Sequence, residues 1–230
     1  MANFQTQFID KIQIAKHAWI FRFHRPKGLI FLPGQYLNWT IGNASRSFTL
    51  SLSPQDTDVI AFTTEEGISL YKKALFVLKK GETISVQGPM GGFYFRDTDS
   101  KPQVLLSEGI GITPFYTMIT HGAEKKLKIP VLLLASFESF EDVIFYEELM
   151  RVVNKTNNIK IIYSLIHPKK SWNSETGDIS EILIEKYVHN ISSVLFSLVG
   201  SPEWVSKKED MLRKMGVALE SIKLELFDGY

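Results

Sequence analysis

Arg46-Ser47-Phe48-Thr49 places a guanidinium, an aromatic ring and two hydroxyls in four consecutive residues at the start of a β-prone run. Arginine pairs with phosphate, an aromatic side chain covers a flat ring, and a hydroxyl hydrogen-bonds a ring nitrogen. A flavin site needs these three functions together. The same residues also suit an ordinary amphipathic strand. A second cluster, Gly109-Ile110-Gly111-Ile112-Thr113-Pro114, follows a short apolar run and precedes a helical pattern. Glycines there let backbone N–H groups approach a pyrophosphate whose charge the helix N-terminus favours, and Pro114 suits a first turn where its missing donor is not needed. The third glycine of the dinucleotide fingerprint is absent, so the pair also reads as a tight strand-to-helix turn.

The elements around these clusters change character along the chain. In the first half Trp19, Phe21 and Phe23 alternate with Ile20 and Arg22, Pro33-Gly34 makes a turn, and Tyr36 to Ile41, Ser47 to Leu52 and Thr83 to Gln87 read as strands. One helix interrupts them, with Ile68, Tyr71, Leu75 and Leu78 at helical spacing before Lys79-Lys80-Gly81 closes it. This half is expected to be an antiparallel β-barrel. After Lys101-Pro102, short apolar runs (Val104 to Leu106, Val131 to Ala135, Ile159 to Leu165, Val194 to Val199, Ile222 to Phe227) alternate with helical patterns. The expected helices are Pro114 to His121, Asp142 to Val153, Ile179 to Val188 and Pro202 to Met215. That alternation predicts an α/β parallel-sheet domain. The expected division is residues 1–100 and 101–230, with the boundary near Ser100.

Composition removes whole classes of chemistry. The 230 residues contain no cysteine, which excludes disulfides, thiol nucleophiles, thiolate zinc sites and a cysteine-held iron–sulfur cluster within the chain. Redox chemistry would need a bound organic cofactor. Lys and Arg number 26 against 25 Asp and Glu, without a long block of one sign, so a nucleic-acid partner is not expected. The apolar stretches fall well short of the roughly 20 residues that span a bilayer, and the N-terminus lacks a basic segment followed by an apolar core. A cytoplasmic protein without a membrane span is expected. The five histidines form no i, i+4 pair, so no metal site is expected.

With both clusters in this order, the chain resembles the ferredoxin–NADP reductase family, whose flavin signature Arg-x-Tyr/Phe-Ser/Thr precedes a Gly-x-Gly-x-x-Pro nucleotide loop. Gly67-Ile68-Ser69 is similar to the family segment that meets the flavin pyrophosphate, and Gly88-Pro89-Met90-Gly91-Gly92-Phe93 to its Gly-Pro-x-Gly-x-Phe strand end. The resemblance spans essentially the whole chain and implies a FAD-binding β-barrel domain followed by an NAD(P)-binding domain. It implies that Arg46 with Ser47, and Gly67, Ile68 and Ser69, hold the flavin, that Phe48 lies against its ring or ribityl chain, and that Thr49 bonds near N5. It assigns Gly109, Gly111, Thr113 and Pro114 to the nicotinamide dinucleotide.

Two positions depart from the family. Glu108 stands where relatives usually have a small residue, and either crowds the nucleotide or is a solvent-facing loop acid. Val199-Gly200-Ser201-Pro202 resembles a Cys-Gly-Pro-Pro segment, with Val199 in place of the cysteine and Gly200 retained near the nucleotide. Glu138, aligned with an arginine that relatives use for a 2′-phosphate, favours NADH over NADPH, because a carboxylate accepts from a ribose hydroxyl and repels phosphate. It also reads as a helix-start acid. The terminus Glu225-Leu226-Phe227 is similar to the Glu-x-aromatic end of many relatives. This similarity implies proton delivery or partner recognition by Glu225 and shielding of the flavin by Phe227, with Tyr230 an alternative ring. The implied activity is NAD(P)H oxidation through FAD, with electrons passed to a separate acceptor protein such as a ferredoxin, flavodoxin or oxygenase component. Alternatives are a reductase of free flavin, which Phe48 in place of tyrosine favours, and a degenerate binding subunit.

Overall fold

The computed structural model of the chain describes residues 1–56, 58–95 and 101–227. Six strands come first: β1 (Ala2–Gln13), β2 (Ala18–His24), β3 (Tyr36–Ile41), β4 (Ala44–Thr49), β5 (Val59–Glu65) and β6 (Thr83–Met90). Helix α1 (Leu70–Phe76) lies between β5 and β6. The strands pair antiparallel in the order β4-β3-β6-β1-β2-β5. Both edges of this sheet meet, since Leu50 bridges Phe62 and the Ser51 N–H donates to the Ala61 carbonyl at 2.7 Å. The sheet thus curls into the expected barrel.

Period-two alternation fills that barrel with rings. Phe21 and Phe23 of β2, Trp39 of β3 and Phe62 of β5 are fully buried. Phe62 is the hub: it stacks on Phe21 at 5.5 Å between centroids and on Phe48 at 4.3 Å, and meets Trp39 at 4.6 Å. Burial of each such ring is worth about 2–3 kcal/mol against leaving it in water. Phe48 is the half-buried end of the stack.

The second sheet is built from β7 (Gln103–Glu108), β8 (Val131–Phe137), β9 (Ile159–Leu165), β10 (Glu175–Thr176), β11 (Leu195–Gly200) and β12 (Ile222–Leu226). Its helices are α2 (Thr113–Glu124), α3 (Tyr146–Val153), α4 (Glu181–Tyr187) and α5 (Pro202–Lys214). All its pairs are parallel, in the order β10-β9-β8-β7-β11-β12. Residues Gln103 to Ser107 and Phe196 to Gly200 are buried without alternation, as strands covered on both faces must be. The chain enters at β7, walks outward to β10, then returns to start β11 on the other side of β7. The order therefore reverses between β7 and β11, and the crevice beyond their C-terminal ends is where open α/β sheets bind ligands.

Several expected elements shift for identifiable reasons. Ser69 caps α1 by accepting from the Lys72 N–H, so Ile68 falls outside the helix and is 91% exposed rather than on its core face. Helix α3 starts at Tyr146 instead of Asp142, because the consecutive Val143, Ile144 and Phe145 are all buried, which one helical face cannot achieve. The strand expected from Ser47 to Leu52 runs from Ala44 to Thr49, and Leu50 makes the single closing bridge. Strands β1 and β5 have no counterpart among the expected elements. The boundary expected near Ser100 lies outside the described residues. Among the described residues, no helix is long and apolar enough to cross a membrane.

Candidate functional site

Where barrel and parallel sheet face each other, a cavity of about 490 Å³ opens, a size usual for small-molecule sites. The end of β4 contributes Ser47, Phe48 and Thr49, and the start of α2 contributes Thr113. Glu225 of β12 and Phe227 just after it close the far side. These six expected residues, drawn from opposite ends of the chain, share one wall system. Ile110, between the two loop glycines, also reaches it.

Thr49 is buried at the last pair of β4, opposite Tyr36 of β3, which borders the same cavity. The Phe48 ring is fixed from behind by Phe62 and lies 5.9 Å from Tyr71. Arg46, two residues earlier on the same face of β4, holds its guanidinium 5.7 Å from the Tyr71 ring and donates to the Ser45 carbonyl at 2.8 Å. It stands beside the cavity wall, toward α1. Gly67, Ile68 and Ser69 form the turn into α1, also outside the wall, with Ser69 spent on its cap.

The loop glycines have two different physical reasons. Gly109 has a φ of +51°, in the left-handed region that glycine adopts without cost. Gly111 is needed for closeness: a Cβ there would sit 2.4 Å from the Val199 carbonyl oxygen. Residues 109–112 form a 3₁₀ turn that rests on the end of β11, and Pro114 is buried in the first turn of α2. Gly200 is equally tight, since a Cβ would meet Trp204 at 2.9 Å and Glu108 at 3.2 Å. Glu108 is neither free nor directed at the cavity. Its Oε2 accepts from the Ser201 hydroxyl at 2.7 Å and the Ser201 N–H at 3.2 Å. Glu138, just after the C-terminal end of β8, is exposed, lies 3.5 Å from His167 and does not line the cavity. Tyr230 lies outside the described residues.

The electrostatics of the cavity are uneven. Glu225 has one carboxyl oxygen buried without a hydrogen-bond partner, and this desolvation pushes its pKa up to about 7. Thr63 Oγ1 is likewise buried without a partner. Opposing charge comes from Lys72, whose ammonium donates to Thr64 Oγ1 and to the Glu65 carbonyl. Burial lowers its pKa to about 8, with Glu65 pulling the other way. Thr63, Thr64, Glu65, Glu66 and Lys72 are wall residues that the sequence motifs do not mark. The β-branched and aromatic run from Val59 to Thr64 is the one available signal for β5; nothing in the helical pattern marks Lys72 as buried.

A barrel closed by six antiparallel strands, joined to a parallel sheet with its switch point at a glycine turn, defines the ferredoxin reductase-like two-domain class. A family model described as the oxidoreductase NAD-binding domain matches residues 105–209. The chain is 28% identical over 206 residues to one component of the Na(+)-translocating NADH-quinone reductase of Methylococcus capsulatus, covering 81% of this chain and 50% of that protein. It is 26% identical over 202 residues to the toluate 1,2-dioxygenase electron transfer component of Pseudomonas putida, covering 86% and 59%. The chain thus spans only half to three fifths of these relatives. Among solved structures, a ferredoxin NADP+ reductase from Neisseria gonorrhoeae with bound FAD and NADP superposes with a TM-score of 0.85 at 19% identity, over 98% of this chain and 99% of that one. Residues 105–209 thus match the oxidoreductase NAD-binding domain, and the chain as a whole has the two-domain ferredoxin reductase-like fold.

Proposed function

We propose that the chain is a FAD-dependent NAD(P)H oxidoreductase that passes electrons to a separate acceptor. The observation that carries this reading is the shared cavity: Phe48 and Thr49 of the barrel and Thr113 of the nucleotide-type sheet border one space beside the β7/β11 switch point. Its walls suit a flat polar ring, with an aromatic face at Phe48, a partnerless hydroxyl at Thr63 and a partnerless carboxyl oxygen at Glu225. When bound, FAD supplies a ring that takes two electrons from a reduced nicotinamide and releases them singly.

The chain's own residues divide the remaining work. Phe48, held by Phe62, fixes the plane against which a ring lies, and Thr49 offers a hydroxyl at its edge. Arg46 stands beside that wall to pair with phosphate. The turn of residues 109–112 and Thr113 position the dinucleotide at the switch point, and Phe227 covers the opposite side, excluding water. Glu225, poised near neutrality, holds or gives up a proton at its buried Oε2. Glu138 favours NADH over NADPH. The relatives' names, an NADH-quinone reductase component and a dioxygenase electron transfer component, support an acceptor on another polypeptide.

The purified protein is mixed with FAD, passed through gel filtration and titrated anaerobically with NADH. The expected result is retained flavin absorbance, near one per chain, that bleaches on NADH addition. Retained flavin that NADH leaves oxidised overturns the oxidoreductase reading.

One observation favours a second reading, reduction of free flavin as a substrate. Phe48 lacks a phenol, and the nearby Tyr71 already donates its own to the Trp39 carbonyl at 3.0 Å. One missing hydrogen bond weakens retention by about 1 kcal/mol, or fivefold. Flavin lost on the column but turned over when added in solution selects this reading.

A further inference from the structure

Lys72 is the unexpected member of the cavity wall. It is 6% exposed although lysine normally extends its ammonium into water, and its neighbour Lys73 on α1 does so. Both acceptors that hold its ammonium, Thr64 Oγ1 and the Glu65 carbonyl, are neutral. They use two of its three N–H donors. The ammonium lies 5.6 Å from the centroid of the Phe48 ring, and Lys72 borders the same space as Thr49 and Glu225. Glu65, at the end of β5, is the acid that acts on it, and its own pKa is pushed up, chiefly by desolvation. A cation retained in a cavity against its desolvation cost is suited to a ligand that gains negative charge there.

Resting on the flavin reading above, we propose that Lys72 is an electrostatic tuning residue that stabilises the reduced, negatively charged FAD ring over the oxidised one. The charge balance explains the preference. Hydride transfer moves two electrons and one proton from NADH to the neutral oxidised ring; NADH leaves as NAD+, and the ring keeps one negative charge until it takes a second proton. A fixed cation on the wall favours that product and leaves the oxidised state nearly unaffected. A lysine that served only to hold the cofactor's phosphates would strengthen both redox states equally, because the phosphates do not change charge.

The test compares wild type with Lys72→Met, Lys72→Gln and Lys72→Arg, each loaded with FAD, together with Lys73→Met as an exposed control for net charge. Affinity for oxidised FAD is read by fluorescence titration, and the midpoint potential at pH 7 by equilibration with reference dyes. Both neutral variants are expected to lose roughly tenfold in the affinity ratio of reduced over oxidised FAD, a fall of about 30 mV for a two-electron couple. Arginine should keep most of the wild-type potential, and Lys73→Met should leave it unchanged. If only one neutral variant folds, it carries the comparison. If neither folds, Lys72 is a structural cation and the proposal falls. FAD that binds a folded neutral variant at unchanged potential overturns the role of Lys72 but leaves the flavin reading standing. Failure of wild type to bind any FAD overturns both.

Discussion

Glu108 Oε2 accepts from the Ser201 hydroxyl at 2.7 Å, tying the end of β7 to the turn after β11 across the point where the strand order reverses. The same Ser201 hydroxyl caps α5 by accepting from the Trp204 N–H. An acid that looks anomalous beside a nucleotide loop therefore braces both lips of the crevice. Glu108→Ala should destabilise the protein by roughly 1 kcal/mol through the lost charge-assisted bond, measured by urea unfolding. NADH should bind no more tightly; a large gain in affinity would show that Glu108 acts mainly by repulsion.

The two loop glycines separate conformational cost from steric cost. Gly111→Ala drives a methyl into the Val199 carbonyl, and a loss of about 1–3 kcal/mol is expected. Gly109→Ala meets no atom within 4 Å and pays only for its left-handed backbone, about 1 kcal/mol. Urea unfolding of the pair should give the larger loss at Gly111, and the reverse order would refute the close approach to β11.

Glu225 gives the protein a defined pH signature. Its folded pKa of about 7 lies above the ordinary carboxyl value of 4.5, so the folded state binds the extra proton. That contribution is fully present below about pH 4.5, declines as pH rises through 7, and is gone above it, a change of up to roughly 3 kcal/mol. Glu225→Gln should remove this slope, so the stability difference between variant and wild type should grow between pH 5 and 7 in favour of the variant. A parallel pair of curves would place the Glu225 carboxyl in water.

Thr49 tests the ring edge of the site. Thr49→Ala should slow anaerobic reduction of bound flavin by about tenfold in stopped flow, the scale of one misplaced polar contact, while stability falls by at most about 1 kcal/mol. Unchanged reduction would remove Thr49 from the mechanism.

Glu138 tests the nucleotide end. Its side chain is exposed and pairs with His167 in solvent, so Glu138→Arg should leave stability nearly unchanged. The ratio of kcat/KM for NADPH over NADH should rise about tenfold or more. A flat ratio would move the ribose site away from Glu138.

Local pattern carried much of this architecture. Alternating rings in the first half and short apolar runs between helical patterns in the second already distinguish an antiparallel barrel from a parallel sheet, because period and run length depend on neighbours in sequence. Arg46 to Thr49 and Gly109 to Pro114 are recognisable for the same reason. Strand β1 escapes such a reading because only Thr6 and Phe8 along its twelve residues are buried, leaving little apolar pattern. Strand β5 escapes it because Ile60 through Thr64 is continuously buried and does not alternate. What tertiary structure alone decided is proximity. Glu225 and Thr49 become neighbours around one cavity, Glu108 finds Ser201, Gly111 meets Val199, and Lys72, one lysine among several around a short helix, turns inward. Each depends on how distant segments are set against one another, because burial and partner distance arise only when parts far apart in the chain come together.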